Sequence, residues 1–315
     1  MQISDGLSSQ WLAVSEPEPY ILHVELSRPP VNAFSIEQVE PWLHVSLSTD
    51  TTRRFWRAYG ALFDRIIQEG RDVRAVVVSS ALSKVFSAGI DFKDGLKARD
   101  DASDAARTWL STYHHLKQFQ SAIGAPQRCP FPVIVAVHGL VAGLGMDLMY
   151  ACDIRYAAES TQFTIKEVAV GHAADIGTLA SKITSNHSLM HELAYTSRMF
   201  TSNEALQLGL VSRVCAGGQK EVTDAALKLA KAIVRNSPIA VSGTKHILTH
   251  ARDQRVLQNL DYVAAWNASA LQTKVGHRLS LLDTVDHYEQ DIPESIRAMQ
   301  TREAPVFQPL SKPKL

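Results

Sequence analysis

The sequence predicts an α/β fold of βαβ units around a mainly parallel sheet, continued by a helical C-terminal region. Three observations carry that prediction. Two short apolar runs rich in β-branched residues, Arg74–Ser80 and Val133–Val137, have the composition of strands buried on both faces. Stretches with helical spacing, such as Phe55–Glu69, alternate with such runs, as βαβ units require. From about Leu179 onward the pattern is helical.

In chain order, residues 1–19 are an N-terminal extension. Tyr20–Leu26 alternates enough for a strand, and Arg28-Pro29-Pro30 ends it. Residues 35–52, with Pro41 and a Ser/Thr-rich stretch, form a loop or insertion. In Phe55–Glu69, the residues Phe55, Tyr59, Leu62, Phe63 and Ile66 share one helical stripe. Val85–Asp91 makes a tight turn after the strand at 74–80. The charged segment Lys93–Arg107 precedes a helical stretch through Ile123. The strand at 133–137, a helix from Gly143 to about Ala151 and a strand at 153–157 follow. Helical patterns then occupy 180–198, 202–208, 220–236, 238–250 and 254–272. The chain thus divides into a core over 20–215, a helical region over 216–300 and a tail over 301–315. There is no internal repeat.

Composition bounds the function. The 315 residues suffice for one large domain, or one with an appended subdomain. Lys plus Arg and Asp plus Glu stand at 32 each, so no global field draws the chain to nucleic acid or an anionic membrane. A local basic patch for a phosphorylated ligand stays open. Cys129, Cys152 and Cys215 are odd in number and widely spaced, which implies free thiols in a reducing compartment. No apolar run approaches the roughly 20 residues of a membrane span. Asp5, Glu16 and Glu18 near the N-terminus are out of place in a signal peptide.

The chemistry concentrates between Val135 and Ile176. The strand at 133–137 runs into the glycine-rich turn Gly139-Leu-Val-Ala-Gly143-Leu-Gly145, which opens a helix. Such a turn presents backbone N–H groups and the positive end of a helix dipole to an anion. Its G-x-x-x-G-x-G spacing is not the dinucleotide fingerprint, and it lacks the Lys-Ser/Thr of a phosphate-binding loop. Alone, it fits a structural helix start as well as a functional one. The second turn at Ala88-Gly89 adds weight, because two loops after two buried strands can supply two donors to one oxyanion.

Three carboxylates, Asp147, Glu167 and Asp175, lie in mostly apolar sequence. Carboxyls in apolar surroundings have raised pKa values and exchange protons near neutral pH. Each has a plainer reading: Asp147 favoured by the helix dipole, Glu167 a solvated strand-end charge, Asp175 a cap for a helix after Gly177. Spacing does not decide among them. With no nucleophile and no G-x-S-x-G elbow, the set suggests proton transfer beside a carbonyl. His187 and His191 stand at i, i+4, but the Glu of H-E-x-x-H and a third ligand are missing, so a surface helix is expected and no metal. His114 and His115 are expected to be solvated.

Phe86-Ser-Ala-Gly-Ile-Asp91, His138-Gly139, Gly143-Leu-Gly-Met-Asp147 and Ala151-Cys-Asp-Ile-Arg155 together resemble the crotonase (enoyl-CoA hydratase/isomerase) superfamily. Lys166–Gly171 and Ala173–Gly177 are similar to its dienoyl-CoA isomerase branch, in which an Asp replaces a hydratase's first catalytic Glu. The likeness covers about residues 20–290. Two departures stand out: Leu144 where the family usually has Gly, and a longer segment at 35–52.

The resemblance implies a crotonase-like spiral of ββα units with a C-terminal helical oligomerisation region, assembled as a homotrimer or homohexamer. It implies conversion of 3,5-dienoyl-CoA to 2,4-dienoyl-CoA by a C2-to-C6 proton shift. Ala88 and Leu144 N–H groups would form the oxyanion hole, with Ala88, Gly89, Ile90, Asp91 and Gly143 contacting substrate. Glu167 would act at C2, Asp175 would protonate C6, and Asp147 would tune the pocket. CoA belongs to the substrate, and no cofactor or metal is expected. The alternatives are an enoyl-CoA hydratase using Asp147 and Glu167 around a water, or a non-catalytic protein binding acyl-CoA or RNA.

The sequence closes on Lys312-Pro-Lys-Leu315, and its last three residues resemble the peroxisomal address S-K-L with Pro313 in place of Ser. The implied role in unsaturated fatty-acid β-oxidation makes a peroxisomal location, with an import receptor as partner, the expectation. A fluorescent fusion at the N-terminus is expected in peroxisomes, and deleting residues 313–315 should release it to the cytosol. Unchanged puncta after the deletion rule out the tail as the signal.

Overall fold

The structure is a computed structural model that describes residues 3–35, 55–69, 72–91, 104–177, 184, 186–236 and 238–253, with positions 264, 265, 268, 297 and 300–303. The expected insertion beyond Ser35, residues 93–103 of the charged segment, most of the 254–272 helix and residues 304–315 of the tail lie outside the described residues.

In chain order the elements begin with β1 (Leu12–Glu18), β2 (Ile21–Leu26), β3 (Phe34–Ser35), α1 (Phe55–Gln68) and β4 (Ala75–Ser80). Next come β5 (Val85–Ser87), β6 (Ile90–Asp91), α2 (Ala105–Ile123), α3 (Ala125–Arg128), β7 (Val133–Val137), β8 (Leu140–Ala142) and α4 (Leu144–Tyr150). The remainder are β9 (Ile154–Ala158), β10 (Gln162–Thr164), α5 (His187–Thr196), β11 (Phe200–Thr201), α6 (Ser202–Gln207), β12 (Arg213–Cys215), α7 (Gln219–Ile233) and α8 (Pro238–Asp253).

The first sheet has the order β1-β2-β4-β7-β9-β12, parallel from β2 to β12. A second sheet, β11-β10-β8-β5, lies across the turns, and β3 pairs β6. Each turn of the chain lays one strand in the first sheet and the next in the second: β4 then β5, β7 then β8, β9 then β10. This is the ββα spiral that the resemblance implied.

The apolar runs explain why β4 and β7 sit mid-sheet. Every residue of both is buried. Val76, Val78, Val133, Val135 and Val137 face the main core with Phe55, Tyr59 and Phe63 of α1. Ala75, Val77, Ile134 and Ala136 face the other way, against Val222, Ala226 and Ala230 of α7. The period-2 alternation of a strand thus feeds two cores, and each buried Val or Ile contributes about 1.5–3 kcal/mol.

The sequence pattern predicts a core that starts at residue 20, yet β1 precedes it as an antiparallel edge strand on β2. Its sequence LAVSEPE carries two glutamates and a proline, the features of a solvent-facing edge rather than of a buried run. The turn read at Val85–Asp91 holds β5 and β6, and the glycine turn at 139–145 holds β8. His115 is not simply solvated, since its ring meets Trp56 edge-on at 5.8 Å.

At the C-terminal end α8 is pinned to the sheet. The Lys245 ammonium donates to Pro126 O, Phe131 O and Asp153 Oδ2 at 2.9, 2.9 and 2.7 Å. Asp153 Oδ2 also accepts the Val133 N–H at 2.8 Å, so one carboxylate ties α8 to the start of β7.

The α1–α2 crossing is set by Gly60, where an added Cβ would come within 2.8 Å of both Cα and Cβ of Ala122. Alanine is the better helix former by about 1 kcal/mol, but the clash is with backbone. Gly60→Ala is therefore expected to destabilise, by about 1–3 kcal/mol. Urea unfolding of the variant against the parent checks the sign.

Candidate active site

Two loops meet at the end of the first sheet. The first, after β4 and β5, is stitched to the segment after β2 by Asn32, a buried residue at φ 49°. Asn32 Nδ2 donates to Leu26 O, Ser80 Oγ and Phe86 O at 3.2, 2.8 and 2.9 Å, while its Oδ1 accepts the Arg28 N–H at 2.7 Å. Ser87 Oγ donates to Asn32 O at 2.9 Å.

The same stitching corrects one expectation. The Ala88 N–H donates to Val31 O at 3.0 Å, so it is committed to the fold rather than offered to an oxyanion. Ile90 is differently placed. It lies opposite Phe34 in a parallel pair, and the Phe34 N–H goes to Gly89 O at 2.8 Å. In a parallel ladder the residue opposite then turns its own N–H away from that partner. The Ile90 N–H is therefore off the β3–β6 ladder. Asp91, another expected substrate contact, pairs with Arg28 at 3.4 Å.

The second loop is the glycine turn. The Gly143 N–H donates to Thr164 O at 3.1 Å, and its φ of 49° with ψ of −119° lets the chain swing into α4. Leu144 is the first residue of α4, where a helix N–H has no partner within the helix. The two loops touch: a Cβ on Gly89 would stand 3.3 Å from Leu144 N and 2.8 Å from Ala142 O.

Beside them the structure gathers the three carboxyls. Asp147 rides on α4, a helix buried at every one of its residues. Glu167 begins the 3-10 turn Val168–Val170, and Asp175 follows in the next loop. They are 4%, 8% and 8% exposed, which removes the solvated-surface reading of Glu167. A Cβ on Gly143 would sit 3.1 Å from Glu167 Oε1, and one on Gly177 would sit 3.8 Å from Asp147 Oδ1. Gln120 of α2 holds the last loop, its Nε2 donating to Asp175 O at 2.7 Å. The cap proposed for Asp175 falls on residues 178–183, outside those described.

The electrostatics follow from that crowding. Burial pushes the Glu167 carboxyl up to about 8; the Asp147 charge adds to it, backbone N–H groups of Glu167 and Lys166 oppose it, and Asp175 contributes further. His172, whose N–H donates to Glu167 O at 3.2 Å, is held down to about 4 by burial and supplies no compensating charge near neutral pH.

A cavity of about 1140 Å³ lies between α2, α8 and α4, and Asp147, Tyr150, Ile176 and Gly177 form part of its wall. Glu167 and the Ala88–Ile90 loop are not among its lining, so it meets the site through Asp147. His187 and His191 sit on exposed α5, with His191 Nδ1 against His187 O at 2.6 Å, and no metal-binding cluster occurs among the described residues. Among them too, no helix is long and apolar enough to cross a membrane. Cys129, Cys152 and Cys215 are free and buried, and burial pushes the Cys129 thiol up to about 12.

Sequence reasoning did not single out the Ile90 N–H, turned off the ladder, or Tyr150 and Gln120, which stand beside the carboxyls. Tyr150 follows Asp147 by three residues on one helix, a spacing that places both on one face. That signal was readable in the sequence.

The fold and these loops define a class. A family model described as Enoyl-CoA hydratase/isomerase matches residues 60–280, and the chain belongs to that family. The chain is 42% identical over 272 residues to a protein of Homo sapiens named Delta(3,5)-Delta(2,4)-dienoyl-CoA isomerase, mitochondrial, covering 85% of this chain and 77% of that protein. It is 38% identical to an Arabidopsis thaliana protein named Delta(3,5)-Delta(2,4)-dienoyl-CoA isomerase, peroxisomal, covering 72% and 80%. A solved enoyl-CoA hydratase/isomerase of Pseudoalteromonas atlantica T6c superposes with a TM-score of 0.68 at 22% identity, covering 95% of this chain and all of that one, which shows the shared fold.

The raised Glu167 pKa has a consequence for stability. A carboxyl near 8 when folded and about 4.3 when unfolded keeps its proton in the folded state across that window. Folding is thus penalised progressively as pH rises toward and through 8. Glu167→Gln removes the penalty, so the variant is expected to melt above the parent at pH 9. The gap should close as pH falls to about 4. A gap independent of pH contradicts the assignment.

Proposed function

We propose that the chain is a Δ3,5-Δ2,4-dienoyl-CoA isomerase, moving a proton from C2 to C6 of a 3,5-dienoyl-CoA to give the conjugated 2,4-dienoyl product. The observation that carries this reading is the meeting of Asp147, Glu167 and Asp175 in one buried place, with Glu167 pushed toward neutral pH. The relatives bearing that name support it.

In this reading the thioester oxygen accepts from the Leu144 N–H and, in place of Ala88, from the Ile90 N–H. Both donors are backbone groups held by the sheet and by the start of α4, so they need no reorganisation as charge develops. Leu at position 144 keeps the donor that the family's usual Gly would offer. Glu167 removes the C2 proton; a base whose conjugate acid lies near 8 does so better than an ordinary carboxylate. The resulting dienolate carries charge from the thioester oxygen out to C6, where Asp175, protonated at the start of the cycle, gives up its proton; exchange with solvent then takes the proton from Glu167 and restores the one on Asp175. Asp147 raises the proton affinity of Glu167 by its charge. CoA enters and leaves with the acyl chain, and the proton balance needs no further cofactor. The fatty-acid oxidation step served is the conversion of a misplaced diene into a conjugated one.

The test is direct. Purified protein with 3,5-octadienoyl-CoA should develop the absorbance of the 2,4-dienoyl product without gain of water, whereas a hydratase would add water. Glu167→Gln and Asp175→Asn should each lose about 10²–10⁴-fold in turnover, and Asp147→Asn less. For the parent, kcat/KM should rise with pH through about 8, because the ionised Glu167 is the active base. A loss below roughly tenfold for both Glu167→Gln and Asp175→Asn overturns the proton-transfer assignment.

A further inference from the structure

We propose that Tyr150 is a positioning residue of this site: its hydroxyl and Glu167 Oε2 hold one buried water between them, and that water fixes the Glu167 carboxyl for proton transfer. The inference rests on the reading of Glu167 as the proton carrier.

Tyr150 is 2% exposed, and its hydroxyl is fully buried with no hydrogen-bond partner among the described residues. Glu167 Oε2 is in the same position. Two orphaned polar atoms in one site are unusual, since buried polar groups are almost always paired. Both belong to one neighbourhood: Tyr150 stands three residues after Asp147 on α4, and a Cβ on Gly143, which opens that helix, would sit 3.1 Å from Glu167 Oε1. A phenol O–H is a donor and a carboxylate oxygen an acceptor, so a water between them can accept from one and donate to the other. A buried water requires two to four such partners.

The charged surroundings keep Tyr150 a donor. Burial raises its pKa above the ordinary value, Asp147 and Glu167 raise it further, and only Arg155 of β9 opposes them. From the loop side Asp175 and the neutral His172 complete the ring of titratable groups around Glu167. Tyr150 also lines the cavity beside Asp147, Ile176 and Gly177, so the water lies at the boundary between the carboxyls and the space open to an acyl chain. A hydrocarbon chain has no atom to satisfy either orphan, which favours retention of the water when substrate binds.

Tyr150→Phe keeps the ring and removes the donor. With 3,5-octadienoyl-CoA as substrate, kcat should fall about ten- to 150-fold, the range of one hydrogen bond to a charged group. KM should stay within twofold and the thermal midpoint should not drop. A crystal structure of the full chain without substrate should place a water within hydrogen-bond distance of Tyr150 Oη and Glu167 Oε2, and the Tyr150→Phe crystal should lack it. A kcat within twofold of the parent, or a parent crystal with no bridging water, overturns the proposal. If the parent does not turn over the dienoyl substrate, the functional reading fails, while the paired crystals still decide the water.

Discussion

Charges of one sign resist being brought together in a medium that screens them poorly, and this chain brings three carboxyls to one buried place. The arrangement survives because each comes from a separately anchored element. Asp147 belongs to a helix buried on every side, Glu167 to a turn abutting Gly143, and Asp175 to a loop whose carbonyl is held by Gln120. No single element could relax the repulsion by moving away. Burial first, and the neighbouring Asp147 charge after it, make the relief chemical: Glu167 keeps a proton at a pH where an isolated carboxyl would have lost it. The fold's rigidity is thereby converted into basicity.

That rigidity begins with hydrogen bonds rather than apolar packing. Asn32 joins three segments through four hydrogen bonds, and the Ala88 N–H is one more stitch in the same seam. The cost of the seam is that Ala88 has nothing left to donate. Its benefit is that Ile90 and Leu144, on touching loops, keep fixed directions. A donor that must first be oriented loses part of its worth to entropy; these two are oriented before any substrate arrives.

Much of this was legible in the sequence, and the limits have physical causes. The strands β4 and β7 were readable because both faces are buried, leaving uninterrupted Val and Ile. Helix α1 was readable because its stripe from Phe55 to Ile66 is long enough to establish a period. The strands β5, β8 and β10 span three residues each, too few for any period to register. The carboxyls were found through a family resemblance; spacing alone left each with a plainer reading until burial was known. Ala88 was misread because N–H direction alternates residue by residue and leaves no trace in side-chain chemistry. Tyr150 was passed over because an aromatic residue on an apolar helix reads as core.

The first sheet has one further property. Its order, β1-β2-β4-β7-β9-β12, never departs from the order of the chain. Each strand leaving the ribosome therefore meets its neighbour already laid down, and the sheet can be extended like courses of brick during synthesis. Nothing has to be inserted between strands that paired too early. Among the described residues growth stops at β12, a three-residue strand whose Arg213 lies over the Tyr156 ring. The brevity and charge of that last strand offer a poor template for another chain, so the device that guides assembly also ends it.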